Sequence, residues 1–376
     1  NNLAGVFWSA GHIDEAIRLN EQILKQREAK LGPDHPHTLI SRNNLALAYW
    51  SAGRTADAIR LHEQTLKQRE SKLGADHPDT LTSRNNLAEA YRSAGRNAEA
   101  IPLHEQTLKQ MEAKLGADHP DTLNSRNNLA LAYESAGRSA DAIRLHEQTL
   151  KQMEAKLGAN HPDTLTSRNN LANAYWSAGR TAEAIRLHEQ TLKQREAKLG
   201  PDHPNTLLSR HNLANAYDQA GEFAKSEPLY RTALEQTRKR FGAEDARTAA
   251  RMTSLGTNLL HQHKYADAEP LLRDCLKVRE SKQPDAWTTF NTRSLLGGAL
   301  LGRMKYADAE PLLLSGYQGM KARDKTIPAQ GKIRVTEALQ RLVQLYEATG
   351  KKEEADKWRK QLDEAKKAAA KEGSKK

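Results

Sequence analysis

The residues that could do chemistry recur along this chain. Histidine precedes proline at His35, His77, His119, His161 and His203, and a second series, His62, His104, His146 and His188, returns at the same interval. Imidazole suggests a metal first, but one ion holds its ligand nitrogens about 2 Å away, whereas equivalent positions on stacked helices lie roughly 10 Å apart. A ladder of single histidines therefore cannot chelate an ion, and neither a metal nor a cofactor is expected. The His-Pro residues are expected to pack or hydrogen-bond at turns, and the second series to fill a partly buried, aromatic-like position. Paired asparagines (Asn43–Asn44, Asn85–Asn86, Asn127–Asn128, Asn169–Asn170) form the other recurring set. Each amide offers both donor and acceptor, which suits the holding of a peptide backbone. No nucleophile–base pair, paired carboxylate in a pocket or phosphate-cradling loop is evident, so this chain is not expected to be an enzyme. Cys275 is the one cysteine, lacks an adjacent histidine, and reads as a small buried hydrophobe in a reducing, cytoplasmic setting.

The elements that must position these residues follow from one period. Gly53, Gly95, Gly137, Gly179 and Gly221 lie 42 residues apart, as do Tyr49, Tyr91, Tyr133, Tyr175 and Tyr217. A repeat of this length signals units that bury their apolar faces only against neighbours. Each unit reads as two helices. Leu45, Ala48, Tyr49 and Ala52 give helix A an apolar stripe that stops at Gly53. Thr55, Asn97, Ser139 and Thr181 are expected to cap helix B, with Asp57 or Glu99 just inside it. Helix B carries Ile59, Leu66 and Leu73, closes at Gly74, and Pro78 with Asp79–Thr80 starts the next helix A.

The expected fold is all-α, a right-handed superhelical solenoid of about nine antiparallel helix pairs. The array spans 1–322, a terminal capping pair 323–362, and a basic Ala/Lys tail 363–376. A remnant of helix A is expected at 1–10, because Asn1 aligns with Asn43 and the chain starts inside a repeat. In later units Phe223, Tyr265 and Tyr306 take the capping position, and Pro102, Pro228, Pro270 and Pro311 share one place early in helix B. Hydrophobic content of 38% suits a thin continuous core, and no run approaches the length of a membrane span. Of the net charge of +11, the stretch Lys351–Lys376 supplies four, ten Lys/Arg against six Asp/Glu, leaving a diffuse seven elsewhere. That is modest for a nucleic-acid binder.

Near-identical repeats can be compared with one another. Three helix A positions vary: Ile40, Thr82, Asn124, Thr166 and Leu208; Leu47, Glu89, Leu131, Asn173 and Asn215; Trp50, Arg92, Glu134, Trp176 and Asp218. At i, i+7 and i+10 they share one face with the constant asparagines. Fixed amides beside variable side chains are what peptide reading requires. Trp287 and Trp358 read as core instead.

The pattern L-A-x-A-Y-x-x-A-G, then A-x-A-I, then T-L resembles the tetratricopeptide repeat. The NNLA run and the REAKLGxDHPxTL junction are similar to the kinesin-light-chain subfamily of those repeats, over residues 1–320. That resemblance implies a non-catalytic scaffold binding a partner peptide, tryptophan-acidic in that subfamily, in a concave groove. It implies roles for Asn44, Asn86, Asn128, Asn170 and Asn212, and for the helix B arginines Arg27, Arg69 and Arg195, whose place Met111 and Met153 take in the central units. The bottom-up alternative for these arginines is a solvated face or an ion pair with Glu28 or Glu70. The carboxyl-terminal stretch from Tyr306 resembles the repeat region of bacterial serine/threonine protein kinases, which implies a sensing or docking arm of a larger kinase, although no kinase motif is present here. An RNA-binding helical repeat would need a base-reading code and a basic stripe, whereas Glu89, Glu134 and Asp218 share the face. Partners are thus expected to be protein or peptide, with neither membrane nor nucleic acid.

Overall fold

The computed structural model describes residues 13–328 and 331–373, with side chains to Ala368. Among the described residues there are seventeen α-helices, one 3-10 turn (Asp324–Thr326) and no strand. The expected helix remnant at 1–10 lies outside them. The chain forms two compact units, one ending at Arg180 and the other beginning at Thr181. The first unit holds α1 (Ile13–Leu31), α2 (Pro36–Ser51), α3 (Thr55–Leu73), α4 (Pro78–Ser93), α5 (Asn97–Leu115), α6 (Pro120–Ser135), α7 (Ser139–Leu157) and α8 (Pro162–Ser177). The second holds α9 (Thr181–Leu199), α10 (Pro204–Gln219), α11 (Phe223–Phe241), α12 (Ala246–His261), α13 (Tyr265–Lys282), α14 (Trp287–Gly302), α15 (Tyr306–Ala322), α16 (Ile333–Ala348) and α17 (Lys352–Gly373). The expected tail from 363 is the end of α17, which runs helical to Gly373.

Each A helix (the even-numbered ones) from α2 to α10 begins on proline, behind a histidine in extended conformation, whereas α12, α14 and α16 begin on Ala246, Trp287 and Ile333. His77 Nδ1 accepts the Asp79 N–H at 3.2 Å, and His35, His119, His161 and His203 repeat the bond. The imidazole thus serves as an N-cap, satisfying one of the amides that a helix start leaves open. Each A helix in the near-identical repeats ends in a Schellman turn. Gly53 sits at φ 75, its N–H reaching the Trp50 carbonyl at 3.0 Å and the Arg54 N–H reaching that of Tyr49 at 2.8 Å.

This turn corrects the expected caps. Arg54, Arg96 and Arg138 occupy the N-cap position of α3, α5 and α7 without a side-chain cap bond, and Thr55, Asn97 and Ser139 are already helical. The turn is so short that the residue closing helix A is also the one that opens helix B. Its guanidinium lies 4.1 Å above the Tyr49 ring and bonds Asp57 at 2.9 Å, so the first-turn acid neutralises this arginine.

Consecutive A helices touch directly, α4 against α6 and α6 against α8 in the first unit, α12 against α14 and α14 against α16 in the second. The A helices therefore line the inner side of each stack. Alanines with no exposed surface (Ala46, Ala88, Ala130, Ala58, Ala100, Ala142) let the backbones approach, while Leu45, Tyr49 and Leu61 fill the seams. Each such leucine contributes roughly 1.5–3 kcal/mol by burial. In the second unit the core is richer, with Cys275 and Trp358 buried and Trp287 packed at its edge. Cys275 Sγ donates to the Ala249 carbonyl at 3.2 Å, consistent with its reading as a buried hydrophobe.

The left-handed position that Gly53 fills is taken in the second unit by His263 (φ 57) and Met304 (φ 60). Met304 is 75% exposed and makes up for this strain with little packing. Met304→Gly is therefore expected to raise stability by about 1 kcal/mol, read as a higher urea midpoint. A lower midpoint would show that the left-handed backbone at this turn costs nothing.

Candidate partner-binding face

The constant arginine of the S-R-N-N run is among the most buried cations of each repeat. Arg84 is 2% exposed; its Nη2 donates to Glu70 Oε1 on the preceding B helix at 2.7 Å, and its Nη1 to Gln110 on the following one. Arg42 bonds Glu28 at 2.7 Å and Gln68, Arg126 bonds Glu112 at 2.5 Å and Gln152, and Arg210 bonds Glu196 and Gln236. One guanidinium fork thus fastens three successive helices, which its planar set of five donors permits and an ammonium would not. Tyrosine adds a second tie. Tyr49 donates to Glu21 at 2.6 Å, Tyr91 to Glu63 at 2.5 Å and Tyr133 to Glu105 at 2.7 Å, each reaching the preceding B helix.

The helix B arginines expected in the groove are placed in the seam between helices instead. Arg69 (9% exposed) donates to the Asp79 carbonyl at 2.7 Å and to Ser83 Oγ at 3.0 Å. Arg27 binds the His37 carbonyl and Ser41, and Arg195 (3% exposed) the Asn205 carbonyl and Ser209, in the same way. Nor do they pair with Glu28 or Glu70, which the S-R-N-N arginines hold. Where Met111 and Met153 stand in, both are buried, and the facing hydroxyls of Ser125 and Ser167 have no partner.

The helix B histidines are buried outright, beyond the partial burial expected. Burial pushes His62, His104 and His188 down to about 4. His104 Nδ1 lies 2.9 Å from Asn85 Oδ1, and His146 Nε2 lies 2.9 Å from Glu134 Oε1. Among the described residues no group of three or more His, Cys, Asp or Glu could hold a metal.

The asparagines lie on the inner side, half-buried at Asn44, Asn86, Asn128, Asn170 and Asn212. Asn86 Nδ2 donates to Asn43 Oδ1 at 2.9 Å, so the second amide of one repeat reaches the first amide of the repeat before it. The variable positions divide between exposed and engaged. Ile40, Leu47 and Trp50 are exposed together at 41%, 42% and 43% on α2. On α4, Arg92 bonds Glu89 at 2.8 Å and reaches Ser135 of α6 at 3.1 Å. Thr82, Asn124 and Thr166 are exposed, while Leu131, Asn173 and Trp176 are half-buried. In the second unit Leu208 is exposed at 44%. Two expected residues there carry structural bonds: Asn215 accepts from Tyr230 at 2.7 Å, and Asp218 accepts from Asn258 at 2.7 Å.

Comparison with known proteins places this geometry. The tetratricopeptide-repeat model matches residues 1–71, 56–113, 79–155, 136–197, 163–235 and 219–281. The chain belongs to the tetratricopeptide-repeat family. Among solved structures it is similar to a putative kinesin light chain of Podospora anserina with nearly identical repeats, at 33% identity over 55% of this chain and 98% of that one (TM-score 0.48). It is also similar to BtubC of P. vanneervenii, at 20% identity over 61% and 92% (TM-score 0.51). The apo quorum sensor NprR of B. thuringiensis shares the fold at 17% identity over 96% and 99% (TM-score 0.58). No curated protein sequence matches the chain. None of the described helices is long and apolar enough to cross a membrane.

Two predictions follow from the buried groups. Met111→Arg is expected to stay within about 1 kcal/mol of the parent, because Ser125 and the Asp121 carbonyl stand where Arg69 finds its partners, whereas Met111→Lys falls further. Equal losses for both would refute the seam assignment. The histidines set the acid limit: their folded values lie below the unfolded one near 6.5, so stability is complete above that pH and falls as pH drops toward 4. At pH 5 each contributes a loss of about 2 kcal/mol, and His104→Leu should flatten the fall in urea midpoint between pH 7 and 5. An unchanged slope would assign the acid sensitivity to other groups.

Proposed function

We propose that this chain is a non-catalytic scaffold whose inner A-helix face holds an extended segment of a partner protein. The observation that carries this reading is the inner side of α2, α4, α6 and α8, where a recurring half-buried amide stands beside a set of three side chains whose combination changes from repeat to repeat. The amides hold a backbone irrespective of sequence, and the variable positions choose its side chains. The α2 end offers Ile40, Leu47 and Trp50, an apolar cluster whose large exposed residues favour an aliphatic or aromatic anchor on the partner. The centre is polar and internally neutralised by the Arg92–Glu89 pair.

Since Arg27, Arg69 and Arg195 are committed to helix carbonyls, an acidic preference would have to come from other groups. The partner segment best matched to this face carries an apolar anchor followed by uncharged or mixed residues.

Asn86→Ala with Asn128→Ala should lower affinity for a bound partner segment at least tenfold, measured by calorimetry, with the melting temperature nearly unchanged. Early melting would make the asparagines structural, and unchanged affinity in a well-folded variant would remove them from the site.

A further inference from the structure

At α12 the repeats change several linked residues at once. The serine that precedes the fastening arginine in every earlier repeat becomes Arg251, and the arginine itself becomes Met252. The glutamate and glutamine that would have received it become Arg238 and Val278. Moving a cation back by one residue turns it about 100° around the helix axis, off the side where the other repeats pair theirs. Two neighbours change with it. The first asparagine of the N-N pair becomes His211 on α10, and the helix B histidine becomes Tyr230 on α11.

Arg251 is half-buried, yet among the described residues no carboxylate and no hydrogen-bond acceptor engages it. Burial lowers its proton affinity, and only the Tyr230 hydroxyl acts against that. Its charge acts on both His211 and Tyr230. Those two rings lie 5.6 Å apart, the Tyr230 hydroxyl is spent on Asn215 at 2.7 Å, and His211 Nδ1 is buried without a partner.

A second guanidinium, Arg334 of α16, acts on Tyr230 from another side. Its Nη1 holds both oxygens of Glu337, at 2.7 and 3.0 Å, leaving Nη2 and Nε unused. Arg341 reaches the same carboxylate at 3.3 Å and is seated over Gly298, where a methyl group would fall 2.9 Å from its Cδ. Three arginines thus share one bonded carboxylate. Positive charge stays in excess even with Asp218, which acts on Tyr230 and accepts from Asn258 at 2.7 Å. A desolvated cation without a counter-ion is costly, and an incoming anion relieves that cost. Glu337 and Arg341 also line a cleft of about 670 Å³ between α12, α14 and α16, with Phe223, Leu260 and Leu301 as its apolar wall. That volume falls within the ~300–1,000 Å³ typical of sites for small molecules.

We infer that the inner side of the second unit binds the phosphate group of a small molecule, received by Arg251, Arg334 and an N–H of His211. A phosphate presents three strong acceptor oxygens and up to two charges, enough to occupy all three groups, whereas a carboxylate presents two oxygens and one charge. The adjoining cleft has room for an organic body on that phosphate. Neither the site nor its ligand depends on the asparagine face of the first unit.

Calorimetric titration of the full chain with inorganic phosphate, phenyl phosphate and benzoate, at constant ionic strength, tests the assignment. Both phosphates are expected to bind at least about tenfold more tightly than benzoate, in line with added hydrogen bonds between charged groups. Phenyl phosphate tighter than inorganic phosphate identifies a phosphomonoester as the ligand, and equal affinities identify free phosphate. Arg251→Gln should weaken phosphate binding at least about tenfold while melting no earlier than the parent, since its guanidinium has no partner to lose. His211→Asn, which restores the residue of the other repeats, should weaken it as well. The Asn86→Ala/Asn128→Ala chain should bind phosphate as the parent does, so failure of the first-unit face and failure of this site are told apart. Benzoate binding as tightly as the phosphates, no phosphate binding, early melting of Arg251→Gln, or affinity undiminished in both variants would overturn the inference.

Discussion

A buried guanidinium is the constraint on which the rest of the structure depends. Repeat helices of sixteen to nineteen residues with mostly alanine and leucine in their seams could slide or rotate against one another, since apolar contact has little direction. The arginine of each S-R-N-N run removes that freedom, because its fork meets a glutamate on the helix before and a glutamine on the helix after. A desolvated charge is costly to leave unpaired, so any register that separates these partners is penalised by several kcal/mol. Specificity of register, more than net stability, is what this group supplies. The tyrosine–glutamate bonds and the arginine–tyrosine stacking at each turn act in the same sense on the other end of helix A.

Much of the architecture was legible because it rests on local chemistry. A 42-residue recurrence of glycine and tyrosine, prolines at helix starts and a 3.6-residue apolar stripe are each sufficient to place an element. What escaped notice was the purpose of residues that never change. Variation singles out Trp50, Arg92 and Glu134, whereas the arginine at Arg42 and Arg84 is the same in all five repeats through Arg210 and lies at i−3 from core leucines, a position that itself signals burial. In sequence the turn between helices A and B reads as two separate caps, because the letters do not reveal that one arginine serves both helices. Arg69 and Arg195 were read outward by analogy, although their replacement by methionine in two repeats already indicates a buried, partly apolar position. In the second unit, Asn215 and Asp218 kept the type expected of a reading face but acquired partners, Tyr230 and Asn258, that only the drifted repeats supply.

The candidate face then acquires a clear division of labour. Invariant charged groups hold the stack, while on the proposed function the recurring amides would grip a partner backbone and the variable positions would discriminate among its side chains. The gradient from an exposed apolar cluster on α2 to an internally paired centre on α4 differs from a uniformly basic trough. The second unit departs from the regularity of the repeats, with histidine and methionine in left-handed positions and two glycines of α14 lining the cleft between α12, α14 and α16.

The arginine fork between Glu70 and Gln110 is the feature most directly open to measurement. A double-mutant cycle of Arg84→Met and Glu70→Met, followed by amide exchange of α4 within the intact chain, isolates the coupling between the two helices. The account predicts a coupling of about 2 kcal/mol, as for a hydrogen bond to a charged group removed from water. Additive effects, with coupling within about 0.5 kcal/mol of zero, would show that apolar packing alone sets the register and that the buried arginine is incidental.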